Sequence, residues 1–208
     1  MIEDAIRANT IGRRFDFVTA LDLPPAVIIG NSVGGFAAAS LAISNPSRVR
    51  ALVLVNSGGF ALWNPVNRLL CSLLGFPTVA RFIMPRLVRW YMDPQTAEDK
   101  TICRKYAARA RTKEGSWVNA SLWKSFLKPG HDLRPRANEI RAPTLLVLGV
   151  HDIIIPLDVG GGQTAHTLIP GSKLELFETG HVVVSSKPDE FVCVFQEFMQ
   201  STSKGPEE

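Results

Sequence analysis

"IIGNSVGG", residues 28–35, sets a serine among glycines directly after an apolar run. Gly30, Ser32 and Gly34 make the spacing G-x-S-x-G, which chance alone places in roughly 5–10% of chains of this length, so its flanks decide its meaning. The run "AVIIG" is short, β-branched and apolar on both faces, the pattern of a strand buried in a parallel sheet. "SVGGFAAASLAIS" is rich in small residues and stops at Asn45-Pro46, as a helix packed close on a sheet would. Ser32 therefore falls where a strand turns directly into a helix. Glycines there let strand and helix approach closely, and the serine occupies an exposed, strained turn with helix N-terminal N–H groups behind it.

The pattern continues outward on both sides. Upstream, residues 12–23 space Phe15, Val18, Leu21 and Leu23 at near-helical intervals before Pro24-Pro25 stops them. Downstream, "ALVLVN" at 51–56 is a second buried strand, and the order helix, strand, helix, strand implies parallel pairing. From about 57 to 141, prolines punctuate helical stretches bearing all four tryptophans, and we read an inserted helical layer. Its exit, "IRAPTLLVLG", leads into a third strand at 144–148. A helix at Gly162–Leu168, a strand at 173–178 and a final helix at 188–200 complete the core. The expected division is 1–58 for the first part of the α/β core, 59–141 for the helical insert, 142–200 for the second part and 201–208 for a disordered polar tail.

The chain has 208 residues, 46% of them hydrophobic, which suits one compact domain. No stretch approaches the roughly 18 consecutive apolar residues of a membrane span, and the N-terminal residues lack the basic-then-apolar pattern of a secretory signal. Cys71, Cys103 and Cys193 are far apart and odd in number, so we expect packing roles and a reduced compartment, cytoplasm or organelle interior, rather than secretion. Charge is unevenly placed: residues 60–140 hold 14 Lys/Arg against 6 Asp/Glu, a net +8, while the remainder holds 9 against 13, a net −4. A basic insert can contact an anionic surface; the plainer reading is a solvated helical face. No nucleic-acid module and no zinc-ligand spacing is present, neither a metal nor a cofactor is expected, and the expected partner is a small-molecule substrate. The glycine pair at 34–35 and the glycine triplet at 160–162 lack the residues a nucleotide-binding loop requires.

A serine hydroxyl needs a base within hydrogen-bond reach and an acid to orient that base. His181 sits in a Gly-His turn just past a predicted parallel strand, where strand-terminal loops converge. His131, His151 and His166 suit surface or packing roles. Asp152, in "GVHD" after the third strand, can reach the distal nitrogen of the histidine, and its rival Asp158 suits a helix cap. Val33 N–H is the natural oxyanion donor.

The order Ser32, Asp152, His181 with "GNSVGG", "APTLLVLGVHDIIIP" and "ETGH" resembles the α/β-hydrolase superfamily over residues 12–200, and the insert resembles its helical cap. The resemblance implies a partial α/β-hydrolase fold, a mostly parallel sheet flanked by helices with an inserted cap. It also implies acyl-transfer hydrolysis by the Ser32–His181–Asp152 triad, on a carboxylic ester with an apolar part. A carbon–carbon bond hydrolase uses the same triad. The sequence departs from the pattern ahead of the elbow, where 31 residues stand in place of several strands and a loop bearing the second oxyanion donor. The nucleophile strand is then expected at a sheet edge, open to self-association. The chain is expected to be a poor catalyst or a non-catalytic binding module.

Overall fold

The computed structural model describes residues 22–156 and 161–203. Residues 12–21 of the predicted helical stretch and the rival acid Asp158 lie outside them, as do residues 204–208 of the predicted tail, while Asp22 and Leu23 are not helical. Four parallel strands, β1 (Ala26–Asn31), β2 (Val49–Val55), β3 (Thr144–Gly149) and β4 (Lys173–Phe177), lie side by side in that order. Helix α1 (Val33–Ser44) joins β1 to β2. Between β2 and β3 come α2 (Pro65–Leu74), α3 (Pro77–Met92), α4 (Ala97–Ala110) and α5 (Lys113–Ser125). Helix α6 (Gly162–Leu168) precedes β4, and α7 (Val183–Ser186) and α8 (Pro188–Ser203) follow it. The last helix thus extends through Ser203 into residues expected to be a disordered tail, and the four-residue α7 is too short to leave a periodic signal.

Side-chain alternation along the strands divides the core. Leu52, Leu54 and Leu146 point to one face and pack with Phe36, Leu41, Ile43 of α1 and with Ala165 of α6. Val53, Val55, Leu145 and Val147 point to the other and meet Phe191 and Phe198 of α8. Helices on both faces make β2 from Ala51 to Val55 and β3 from Leu145 to Leu148 continuous apolar runs. Strand β1 reads the same in sequence but is only half-buried: among the described residues it forms the sheet edge, and Ile29 is 48% exposed. The insert helices have a core of their own around Cys71, Leu74, Met84, Val88, Cys103 and Trp123. Pro85 stands inside α3 without ending it, and it is buried. Burial pushes the Cys71 thiol up to about 11, so it packs as an inert hydrophobe, as does buried Cys103. Cys193 is exposed, contrary to the packing role expected of it.

The strand-to-helix turn explains its glycines unequally. A Cβ on Gly30 would run into the carbonyl of Gly34, and one on Gly35 would come within 2.5 Å of Ser57 Oγ and 3.0 Å of Gly30 O. Gly34 has open space around it. Close approach thus depends on Gly30 and Gly35; the second glycine of G-x-S-x-G is not required for it. Gly30→Ala should cost about 2–3 kcal/mol in urea denaturation, because the clash is with backbone. Gly34→Ala should be neutral or stabilise by up to about 1 kcal/mol, as an alanine in a helix does.

His131, on a short 3-10 turn at the exit from the insert, is buried and stacked on Phe36 at 4.0 Å. Burial pushes its imidazole down to about 4, against a smaller upward pull from Asp132. Unfolded histidine titrates near 6.5, so below that pH the unfolded chain binds the extra proton first. The stability His131 contributes is therefore complete above about 6.5 and falls as pH drops toward 4, by up to about 3 kcal/mol. Thermal melts between pH 7 and 4 should show wild type losing stability relative to His131→Phe; parallel curves would contradict this.

Candidate active site

Ser32 has φ 54° and ψ −116°, a conformation that costs a non-glycine residue about 1–3 kcal/mol and persists only where its surroundings over-determine it. Three backbone hydrogen bonds do so. Ser32 N–H donates to Val55 O at 3.0 Å, and Ser32 O accepts from Phe36 N–H at 3.1 Å and from Gly58 N–H at 3.0 Å. The side chain does not cap the helix it precedes, and Ser32 Oγ makes no hydrogen bond among the described residues. Val33 opens α1, so its N–H is one of the donors a helix start leaves free.

Asp152 follows β3 in a turn that its own carboxylate organises: Oδ1 accepts from Ile154 N–H at 2.8 Å and Ile155 N–H at 3.1 Å. Oδ2 is left facing His181, whose Nδ1 lies 2.6 Å away. The carboxylate is fully buried and the imidazole almost so. With Nδ1–H committed to Asp152, the tautomer leaves Nε2 as the basic nitrogen. The other histidines stand elsewhere. His151 pairs with Glu178 at 3.1 Å on the surface, and His166 Nδ1 meets Ser172 Oγ at 3.0 Å.

Two asparagines, unremarked in the sequence, hold the His181 turn against the sheet. Asn31, the residue before Ser32, donates from Nδ2 to His181 O at 3.1 Å and to Val55 O at 3.1 Å. Asn56, wholly buried just past β2, donates to Gly180 O at 3.3 Å and accepts from Gly149 N–H at 3.0 Å. The structure thus brings all three predicted residues to the carboxyl ends of β1, β3 and β4, with Asn31 linking the elbow to the histidine. The detectable signal was a polar amide at the carboxyl end of two neighbouring apolar strands.

The insert reaches the same edge. His181 N–H donates to Tyr91 O at 2.7 Å, and the Tyr91 ring stands edge-on to the imidazole at 5.5 Å. A Cβ on Gly180 would meet Tyr91 O and Asp93 Cβ, both at 2.7 Å, so the turn needs glycine. Burial pushes the Tyr91 hydroxyl up to about 12, with weaker like-charge contributions, and it stays protonated at neutral pH. On α4, the Asp99 carboxylate closes a capping box with Thr96 and accepts from Ser185 Oγ of α7. Burial works to raise this carboxyl, but hydrogen bonds from Ser185, Thr96 and Gln95 outweigh it and hold the group below its ordinary range.

Residues 13–178 match the family described as serine aminopeptidase, S33. A 2-hydroxy-6-oxononadienedioate/2-hydroxy-6-oxononatrienedioate hydrolase of Paraburkholderia xenovorans is 34% identical over 149 residues, which are 68% of this chain and 50% of that protein. A 2-hydroxy-6-oxo-6-phenylhexa-2,4-dienoate hydrolase of Burkholderia cepacia is 28% identical over 196 residues, 86% of this chain and 64% of the relative. The chain thus spans about half to two thirds of the length of these relatives. In fold it is similar to the enol-lactonase of Burkholderia xenovorans, with a TM-score of 0.69 and 20% identity, covering 91% of this chain and 71% of that one. A match over most of its length, on a parallel sheet flanked by helices, makes this chain a member of the serine aminopeptidase S33 family of α/β-hydrolase enzymes.

Proposed function

We propose that Ser32, His181 and Asp152 form a catalytic triad that hydrolyses a carboxylic ester or related acyl compound with an apolar part. The observation that carries this reading is the pairing of a strained Ser32 turn with a buried His181–Asp152 contact of 2.6 Å at the same sheet edge. His181 Nε2 takes the Ser32 proton as Oγ attacks the carbonyl carbon. The tetrahedral oxyanion lies at Val33 N–H, where the helix start supplies a donor and a positive dipole end. Collapse breaks the bond to the leaving group, which departs with the proton from Nε2. Water, deprotonated by His181, then releases the acid from the acyl-enzyme. Support for an apolar part comes from Ile154 and Val182, neighbours of the catalytic loops that pack into the apolar cluster of the insert.

The named activities of the relatives favour a second reading, cleavage of a carbon–carbon bond beside a carbonyl by the same residues. Side-by-side turnover of p-nitrophenyl esters and a 2-hydroxy-6-oxo dienoate separates the two. Faster ester hydrolysis supports the first reading and faster dienoate cleavage the second. Ser32→Ala and His181→Ala should each lower kcat by at least about 10³, and Asp152→Asn by on the order of 10³–10⁴. Retention of wild-type turnover by Ser32→Ala would overturn the triad. A folded chain that binds both compounds and turns over neither would assign the binding-module reading.

A further inference from the structure

The aromatic residues of the insert do not all lie where an apolar pocket or core would put them. On α2, Val66, Leu69, Leu70 and Leu73 recur at the i, i+3, i+4, i+7 spacing of one helical face, the spacing that normally turns inward. Here that face is outward: Val66 is 72% exposed and Leu69 60%, while Cys71 and Leu74 on another face fill the insert core. Exposed Phe76 stands at the corner with α3. On α3, Phe82, Arg86, Arg89 and Trp90 share one exposed face at i, i+4, i+7 and i+8, with Phe82 71% and Trp90 75% exposed.

Charge specifies what this surface suits. Residues 61–92 contain four arginines, Arg68, Arg81, Arg86 and Arg89, and no aspartate or glutamate. Among the described residues none of the four is in an ion pair. Contiguous leucines, a phenylalanine and a tryptophan interleaved with unpaired arginines are the composition of a helix lying in a membrane interface. Neither helix is long enough to span alone: α2 and α3 meet at a bend of 109°, and their lengths of about 15 and 24 Å each fall short of a roughly 30 Å hydrocarbon core.

We propose that the corner formed by α2 and α3 docks this protein on an anionic lipid surface. The leucine face of α2 and the Phe82–Trp90 face of α3 enter the headgroup boundary, and Arg86 and Arg89 meet lipid phosphates. The adjoining Tyr91 holds the His181 turn through its carbonyl, so the docking surface ends one residue from a contact of the candidate site.

The test is flotation of the full chain with vesicles of phosphatidylcholine alone or with 30 mol% phosphatidylglycerol, run beside sedimentation velocity without lipid. Binding to the anionic vesicles should exceed binding to the neutral ones at least tenfold and weaken as salt is raised. Leu69→Asp/Leu73→Asp should abolish it. Arg86→Gln/Arg89→Gln should weaken it about tenfold, at roughly fivefold per arginine with partial overlap. Both pairs are surface changes, and unchanged circular dichroism confirms folding. A wild type that does not float with anionic vesicles overturns the proposal. So does a lipid-free dimer that Leu69→Asp/Leu73→Asp converts to monomer, which would make a second copy the occupant.

Discussion

The close approach of Gly30 to the first turn of α1 is the constraint on which the site depends. Because no side chain intervenes, the chain reverses from β1 into α1 within a single residue, and that residue takes the strained conformation of Ser32. The strain is held by hydrogen bonds to Val55 on the neighbouring strand and to Phe36 and Gly58. Those bonds fix the serine relative to β2, hence to the whole sheet. A flexible loop could place a serine near a histidine, but it could not keep the first N–H groups of a helix directly behind it.

The second half of the site is built on the same edge by a different device. Asp152 spends one carboxylate oxygen on its own turn and presents the other to His181. Asn31, Asn56 and the Tyr91 carbonyl then hold the turn of His181 from three sides. Because Asn31 adjoins Ser32, the elbow and the histidine turn share a hydrogen-bonded link even while Ser32 Oγ itself is uncommitted. The Asp99–Ser185 contact ties α4 to α7 immediately after the histidine, so the insert is anchored to the site on both sides of His181.

The four strands, their parallel pairing, the Ser32 turn and the positions of Asp152 and His181 past strand ends are legible because each is a local pattern: an apolar run followed within a few residues by glycine or a polar group. What escaped notice joins residues far apart in sequence. Asn56 reaches Gly180 across 124 positions and Ser185 reaches Asp99 across 86. Asn56 is marked locally only as an amide at the carboxyl end of β2, and nothing local marks the distant residue that either one reaches. Among the described residues β1 lies at the sheet edge and is only half-buried, which its sequence does not reveal, since an apolar run looks alike at an edge and in the centre. Phe82 and Trp90 show the same limit on the insert, where helical spacing reveals a shared face but not whether that face turns to the core or to solvent.

We propose that the Ser32 turn and the His181–Asp152 pair act as one nucleophilic unit. The most direct measurement is reaction of the folded chain with a fluorophosphonate, followed by peptide mapping, since this reagent demands an activated serine and little substrate specificity. A single adduct on Ser32 is expected in wild type, and it is lost in His181→Ala although Ser32 remains. Absence of label from the folded wild type, or its appearance on another serine, would contradict it.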